Sequence, residues 1–270
     1  MKHLVSTDWL ERNLENVRVF DGSWHLPSTS RNALNEFNLA HIKDSNFFDI
    51  DKYSNLQSSL PHMLPRKDDW EKIMSELGVR NSDHVVIYDN SEVISSCRVW
   101  YTFLYFGHDP DLVSVLDGGL KKWLAEKKET TQIVKRFLKS SYSAVENISL
   151  VKNKYQINKN IKDKTFELID ARGRNRFLGL QSEVRKELRS GNIEGSKNIP
   201  FTELINNDRT FKKKSELLSI FEKNKVDLNK KAVFTCGSGI TACVLGLTNS
   251  IISGKKPVVY DGSWAEYGIK

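Results

Sequence analysis

The residues with the clearest capacity for covalent chemistry lie in Val233-Phe234-Thr235-Cys236-Gly237-Ser238-Gly239-Ile240-Thr241-Ala242. An apolar run stops at a cysteine, a glycine-rich turn follows, and a helix-like segment opens. A turn in that order wraps its backbone N–H groups around the sulfur, and the following helix directs its N-terminus at the same atom. Both effects favour thiolate over thiol, so the stretch predicts a nucleophilic cysteine. Cys97 and Cys243 fall inside helix-like segments and read as small buried hydrophobes. Three cysteines with no CxxC argue against a disulfide framework and against structural zinc, and they suit a reducing cytoplasm.

A nucleophile of this kind needs elements that hold it, and the sequence supplies them twice. Val17-Arg18-Val19-Phe20-Asp21 is matched by Phe166-Glu167-Leu168-Ile169-Asp170, each a buried strand ending in aspartate. Ala40-His41-Ile42-Lys43-Asp44-Ser45-Asn46-Phe47 is matched by Gly191-Asn192-Ile193-Glu194-Gly195-Ser196-Lys197-Asn198-Ile199. Val85-Val86-Ile87-Tyr88-Asp89 is matched by Ala232-Val233-Phe234-Thr235-Cys236. Ser114-Val115-Leu116-Asp117-Gly118-Gly119 is matched by Val258-Val259-Tyr260-Asp261-Gly262-Ser263. Four landmarks in one order at similar spacing predict a duplicated domain, with Asp89 in the place of Cys236.

Helix-period segments separate the strands. Trp70, Ile73, Met74 and Leu77 form one apolar stripe behind Asp68 and Asp69 as cap candidates, and Ser215 is the cap candidate of the counterpart helix. Helices are expected over 96–106 and 241–253, each stopped by a glycine, Gly107 or Gly254. Strands without polar alternation, alternating with helices, predict an α/β fold of two tandem domains, each a mainly parallel sheet with helices on both faces. The expected domains are 1–135 and 150–270, joined by a lysine- and serine-rich connector, 136–149. In such sheets ligands bind beyond the carboxyl ends of the strands, where Cys236 falls.

The net charge of +7 comes mostly from scattered lysines and reads as solvated surface, with no aromatic-interleaved stripe for nucleic acid. No apolar run is long enough for a transmembrane helix, and Met1-Lys2-His3-Leu4-Val5-Ser6-Thr7 has neither a secretory core nor a transit pattern. No membrane or nucleic-acid partner is expected, and a cytoplasmic location is.

On the Cys236-to-Ala242 loop and the tandem strand pattern, the sequence resembles the 3-mercaptopyruvate sulfurtransferases of the rhodanese superfamily. The resemblance runs through Phe48-Asp49-Ile50-Asp51, Pro61-His62-Met63-Leu64-Pro65, Asp170-Ala171-Arg172, Arg176-Phe177 and Tyr260-Asp261-Gly262-Ser263-Trp264. It implies two rhodanese-like domains, the second catalytic. The cysteine takes the donor's sulfur as a persulfide, releases pyruvate, and passes the sulfur to thioredoxin, a low-molecular-weight thiol or cyanide. No metal or organic cofactor is implied. By the family pattern Arg176 and Arg185 hold the donor's carboxylate and ketone, alongside the loop residues Gly237, Gly239, Ile240 and Thr241. Ser238, with His62 oriented by Asp51 or Asp49, is implied in proton handling, the last three coming from the first domain. Roles for Arg172 and Arg174 stay open.

The loop also discriminates among relatives. Ala242 stands where the fold's phosphatases need an arginine, which argues against phosphate transfer. Gly237 and Ser238 are neutral where thiosulfate-using relatives carry basic residues, which favours mercaptopyruvate. The alternatives are a thiosulfate:cyanide sulfurtransferase and a non-catalytic sulfur-relay module.

Overall fold

Five short runs of the first half pair entirely in parallel. Across the sheet their order is Leu4–Val5, Val113–Leu116, His84–Tyr88, Val17–Asp21 and Ser45–Phe47. In the second half Val151–Lys152, Val259–Tyr260, Ala232–Thr235, Glu167–Asp170 and Lys197–Asn198 do the same. Numbered along the chain, both sheets run 1-5-4-2-3. The duplication read from the sequence is therefore a duplication of topology. The structure, a computed structural model, describes residues 3–270, and the chain divides into two units.

The first unit holds the residues up to Leu56, Leu64–Asn147 and Asn206–Phe211. Alternate strand side chains feed opposite faces of its sheet, as the pleat requires. Val19, Val86 and Tyr88 pack with Leu10, Leu120 and Trp123 on one face. On the other, Phe20 meets Phe103, and Trp70 packs against Phe103 and stacks on Phe106. The stretch expected as a connector follows this unit's surface, with Ser140 N–H on Ser75 O (2.9 Å), Val145 N–H on Phe106 O (3.0 Å) and Asn147 N–H on Tyr105 O (2.7 Å).

The second unit holds Gln57–Met63, Ile148–Ile205 and Lys212–Lys270. Leu168, Val233 and Tyr260 pack with Ile157, Ile193 and Trp264 on one face. Phe234, Leu217, Phe221 and Leu204 are buried as well.

The helices lie where the periodicity predicts them, with different caps. The stripe helix is Lys67–Glu76, entered through Arg66, so Asp68 and Asp69 sit in its first turn and favour the positive helix end rather than cap it. The counterpart helix is Lys214–Lys223. Its entry is closed by Glu216 Oε2, which accepts Lys213 N–H at 3.1 Å, and not by Ser215. Gly107 and Gly254 both follow their helices in the left-handed conformation, φ 79° and 70°. Among the described residues no helix is long and apolar enough to cross a membrane.

Candidate active site

Cys236 directly follows the strand Ala232–Thr235, paired through Thr235 with Asp170 of the neighbouring strand. The residue is 2% exposed. The chain then turns through Gly237, Ser238 and Gly239, with Gly239 at φ 80°, a conformation that favours glycine. It enters the helix Ala242–Ser253 without a side-chain cap, from Thr241. Cys243 Sγ donates to Gly239 O (3.2 Å) and Cys243 N–H to Ile240 O (3.1 Å), which fixes the loop from beneath. From the short helix Ser263–Tyr267, Trp264 N–H reaches Cys236 O (2.9 Å) and Ala265 N–H reaches Gly237 O (2.8 Å). Among the described residues the amides of Gly237, Ser238, Ile240 and Thr241 have no protein acceptor.

The first unit shows what such a loop does with negative charge. There the strand His84–Tyr88 is followed by Asp89, whose carboxylate accepts Ser91 N–H at 2.8 Å and Ser96 N–H at 2.9 Å. Ser91 stands two residues after Asp89, as Ser238 stands after Cys236. Burial raises the Asp89 carboxyl above its usual range, offset in part by these bonds. One loop thus fills its cradle with its own carboxylate, whereas the other presents a sulfur and leaves its amides open.

His62 and Ser238 are joined at 2.9 Å between Nδ1 and Oγ. Although His62 precedes most of the first unit in sequence, its segment Gln57–Met63 clusters with the second unit. Its backbone is left-handed at φ 59°, uncommon for a non-glycine residue, and the residue is 6% exposed. Asp51 belongs to the first unit, where Trp24 Nε1–H donates to Oδ2 at 3.0 Å. Asp49 Oδ1 accepts Lys52 N–H (3.1 Å) and closes its own turn.

The four candidate arginines differ in their surroundings. Arg172 is buried and donates to Asp170 (Nη2–Oδ2 2.7 Å), Glu183 (Nη1–Oε1 2.8 Å) and Gly191 O (2.8 Å), with its guanidinium 4.3 Å from the centre of the Trp264 ring. It is a structural cation. Arg174 forms an exposed pair with Glu203 at 3.0 Å. Arg176 opens toward the loop, and its Nη2 lies 3.5 Å from where a Cβ on Gly237 would stand. Glu183, 2% exposed in its side chain, grips Arg176 through both carboxylate oxygens while also holding Arg172. Asp170, Arg172, Glu183 and Arg176 thus alternate in charge, and the last guanidinium is 28% exposed. Arg185 is half-buried and its guanidinium has no partner among the described residues. Sequence reasoning passed over Glu183, which lies in the approach to Arg185; the only signal was an acid between two arginines.

A match to the rhodanese-like domain model covers residues 6–126 and 153–270. This chain belongs to the rhodanese family. Both sheets described above are rhodanese domains. Mouse 3-mercaptopyruvate sulfurtransferase is 40% identical to this rhodanese over 98% of the chain and 91% of its own length. Mouse thiosulfate sulfurtransferase is 37% identical, with the same coverage of both. The crystal structure of SseA from Escherichia coli, a 3-mercaptopyruvate sulfotransferase, superposes with a TM-score of 0.88 at 32% identity, covering 98% of this chain and 99% of that one. The expected tandem-domain sulfurtransferase is borne out. Among the described residues no cluster of His, Cys, Asp or Glu is arranged to hold a metal ion.

Proposed function

We propose that the second rhodanese domain transfers sulfur from 3-mercaptopyruvate to a thiol acceptor through a persulfide on Cys236. The observation that carries this reading is the position of Arg176. A cation braced by Glu183 stands beside a neutral loop, suited to a donor whose charge lies in a carboxylate away from the reacting sulfur. Arg185, whose guanidinium has no partner among the described residues, is the second group for the donor's carboxylate and ketone.

The Cys236 thiolate attacks the donor sulfur, and the new S–S bond forms as the C–S bond breaks. The bonding pair passes to the pyruvate enolate, whose charge the arginines stabilise. The proton that completes pyruvate moves through Ser238 and His62, joined at 2.9 Å. The negative outer sulfur lies against the amides of Gly237, Ser238, Ile240 and Thr241, in the manner of the Asp89 carboxylate in the first unit. An acceptor thiolate then takes that sulfur and restores the Cys236 thiolate. Thioredoxin and low-molecular-weight thiols are acceptors of the right chemistry, in a reducing compartment such as the cytoplasm.

Initial rates with 3-mercaptopyruvate and with thiosulfate test the donor, the expectation being a higher kcat/KM for 3-mercaptopyruvate. A higher value for thiosulfate overturns that choice in favour of the thiosulfate reading. Intact mass after donor addition should show one added sulfur, absent in Cys236→Ser; full turnover by Cys236→Ser would refute the mechanism.

A further inference from the structure

The two rhodanese domains share one backbone bond that aligns them residue by residue. Leu120 N–H reaches Asp89 O in the first, and Trp264 N–H reaches Cys236 O in the second, both at 2.9 Å. The residues just before these donors, Gly119 and Ser263, are therefore equivalent. Both are left-handed, with φ of 55° and 48°. At Gly119 the reason for glycine is plain, because a Cβ there would lie 2.4 Å from Asp89 O. Glycine adopts this conformation at no steric cost, whereas a residue with a Cβ is strained in it.

The second domain nevertheless has a serine there, completely buried. Its Oγ donates to Tyr260 O (2.8 Å) and accepts the N–H of Cys236 itself (3.2 Å). We infer that Ser263 is a positioning residue for the nucleophile: it tolerates a backbone conformation suited to glycine because its hydroxyl holds the Cys236 amide in register with the loop. Without that acceptor the N–H of a residue 2% exposed loses its partner at the point where the strand turns into the cradle. The counterpart position in the first domain serves a residue that does no chemistry, and there glycine suffices. The inference rests on Cys236 being the nucleophile and is independent of the donor.

Two variants of the full chain separate this role from a structural one. Ser263→Ala keeps the strained backbone and removes the hydroxyl; Ser263→Gly removes both. In each, kcat with 3-mercaptopyruvate is expected to fall about tenfold, the scale of one hydrogen bond. KM should stay within about twofold, because Arg176 and Glu183 are untouched. Alkylation of Cys236 by iodoacetamide, followed by peptide mass to separate it from Cys97 and Cys243, should slow by a similar factor and needs no sulfur donor. The Tm of Ser263→Gly should equal or exceed that of Ser263→Ala. Wild-type kcat and alkylation rate in Ser263→Gly overturn the inference. So does a Ser263→Gly whose lost activity merely follows a lost folded fraction.

Discussion

Replacing Asp21 by asparagine should stabilise the first unit above neutral pH and leave it nearly unchanged in mild acid. Asp21 ends a central strand, is 2% exposed, and its Oδ1 accepts from the amide of Ser23 (2.9 Å) and from the Ser23 hydroxyl. Burial pushes its carboxyl up to about 7, from a usual 3.8, with the charge of Asp89 acting in the same direction. The folded chain therefore holds a proton that the unfolded chain releases. Stability falls as pH rises from about 3.8 to about 7, and above 7 the cost of the buried charge is complete. At 1.36 kcal/mol per pH unit that span corresponds to about 4 kcal/mol as an upper figure. The Oδ1 of asparagine reproduces the acceptor for Ser23 and carries no charge. Asp21→Asn should thus gain about 2–4 kcal/mol at pH 8 and less than about 1 kcal/mol near pH 4.5. Urea unfolding followed by tryptophan fluorescence suits the test, since Trp9, Trp24, Trp70, Trp100 and Trp123 all lie in this unit and only Trp264 lies in the other. A variant less stable than wild type at pH 8, or a difference that does not change with pH, would refute the reasoning.

Two further perturbations address the site. Glu183→Gln leaves Arg172 its bond to Asp170 but frees Arg176 to turn toward solvent, so KM for 3-mercaptopyruvate should rise about tenfold, the scale of a charge-assisted hydrogen bond, with a smaller loss in kcat. An unchanged KM would show that the brace does not serve donor binding. Interrupting the proposed proton path with Ser238→Ala or His62→Ala should lower kcat about a hundredfold. The double variant should be little worse than either single one, and additive losses in steady-state kinetics would show that the two do not act as a unit.

The parts of this protein that were legible in the sequence are those that local pattern dictates. Apolar runs closed by Asp21, Asp170 or Cys236 announce buried parallel strands, and the duplicated landmarks reappear as two sheets of identical strand order. Loop composition alone placed the cysteine at a strand end before a helix. Caps were harder to read, because Arg66 and Lys213 enter their helices with extended backbones and the nearby Asp68, Asp69 and Ser215 fall within the first turn. Arg172 and Arg176 look alike in sequence four residues apart, yet one is sealed under Trp264 and the other opens to the loop. What separates them is burial: Arg172 pairs with Asp170 inside the domain while the Arg176 side chain is 28% exposed, and the burial of Glu183, which binds both, is no more a local property. The allegiance of His62 to the second unit is likewise a tertiary fact, set by the path of 57–63.

The Asp89 carboxylate, seated on the amides of Ser91 and Ser96, has a consequence for carrying capacity. On the proposed mechanism, a loop already satisfied by its own side chain has no place for a sulfane sulfur, so one polypeptide of 31.0 kDa would load a single equivalent per cycle, at Cys236. Sulfur can accumulate only in step with the number of chains. Delivery would thereby be metered, each acceptor receiving one atom before the next donor is engaged.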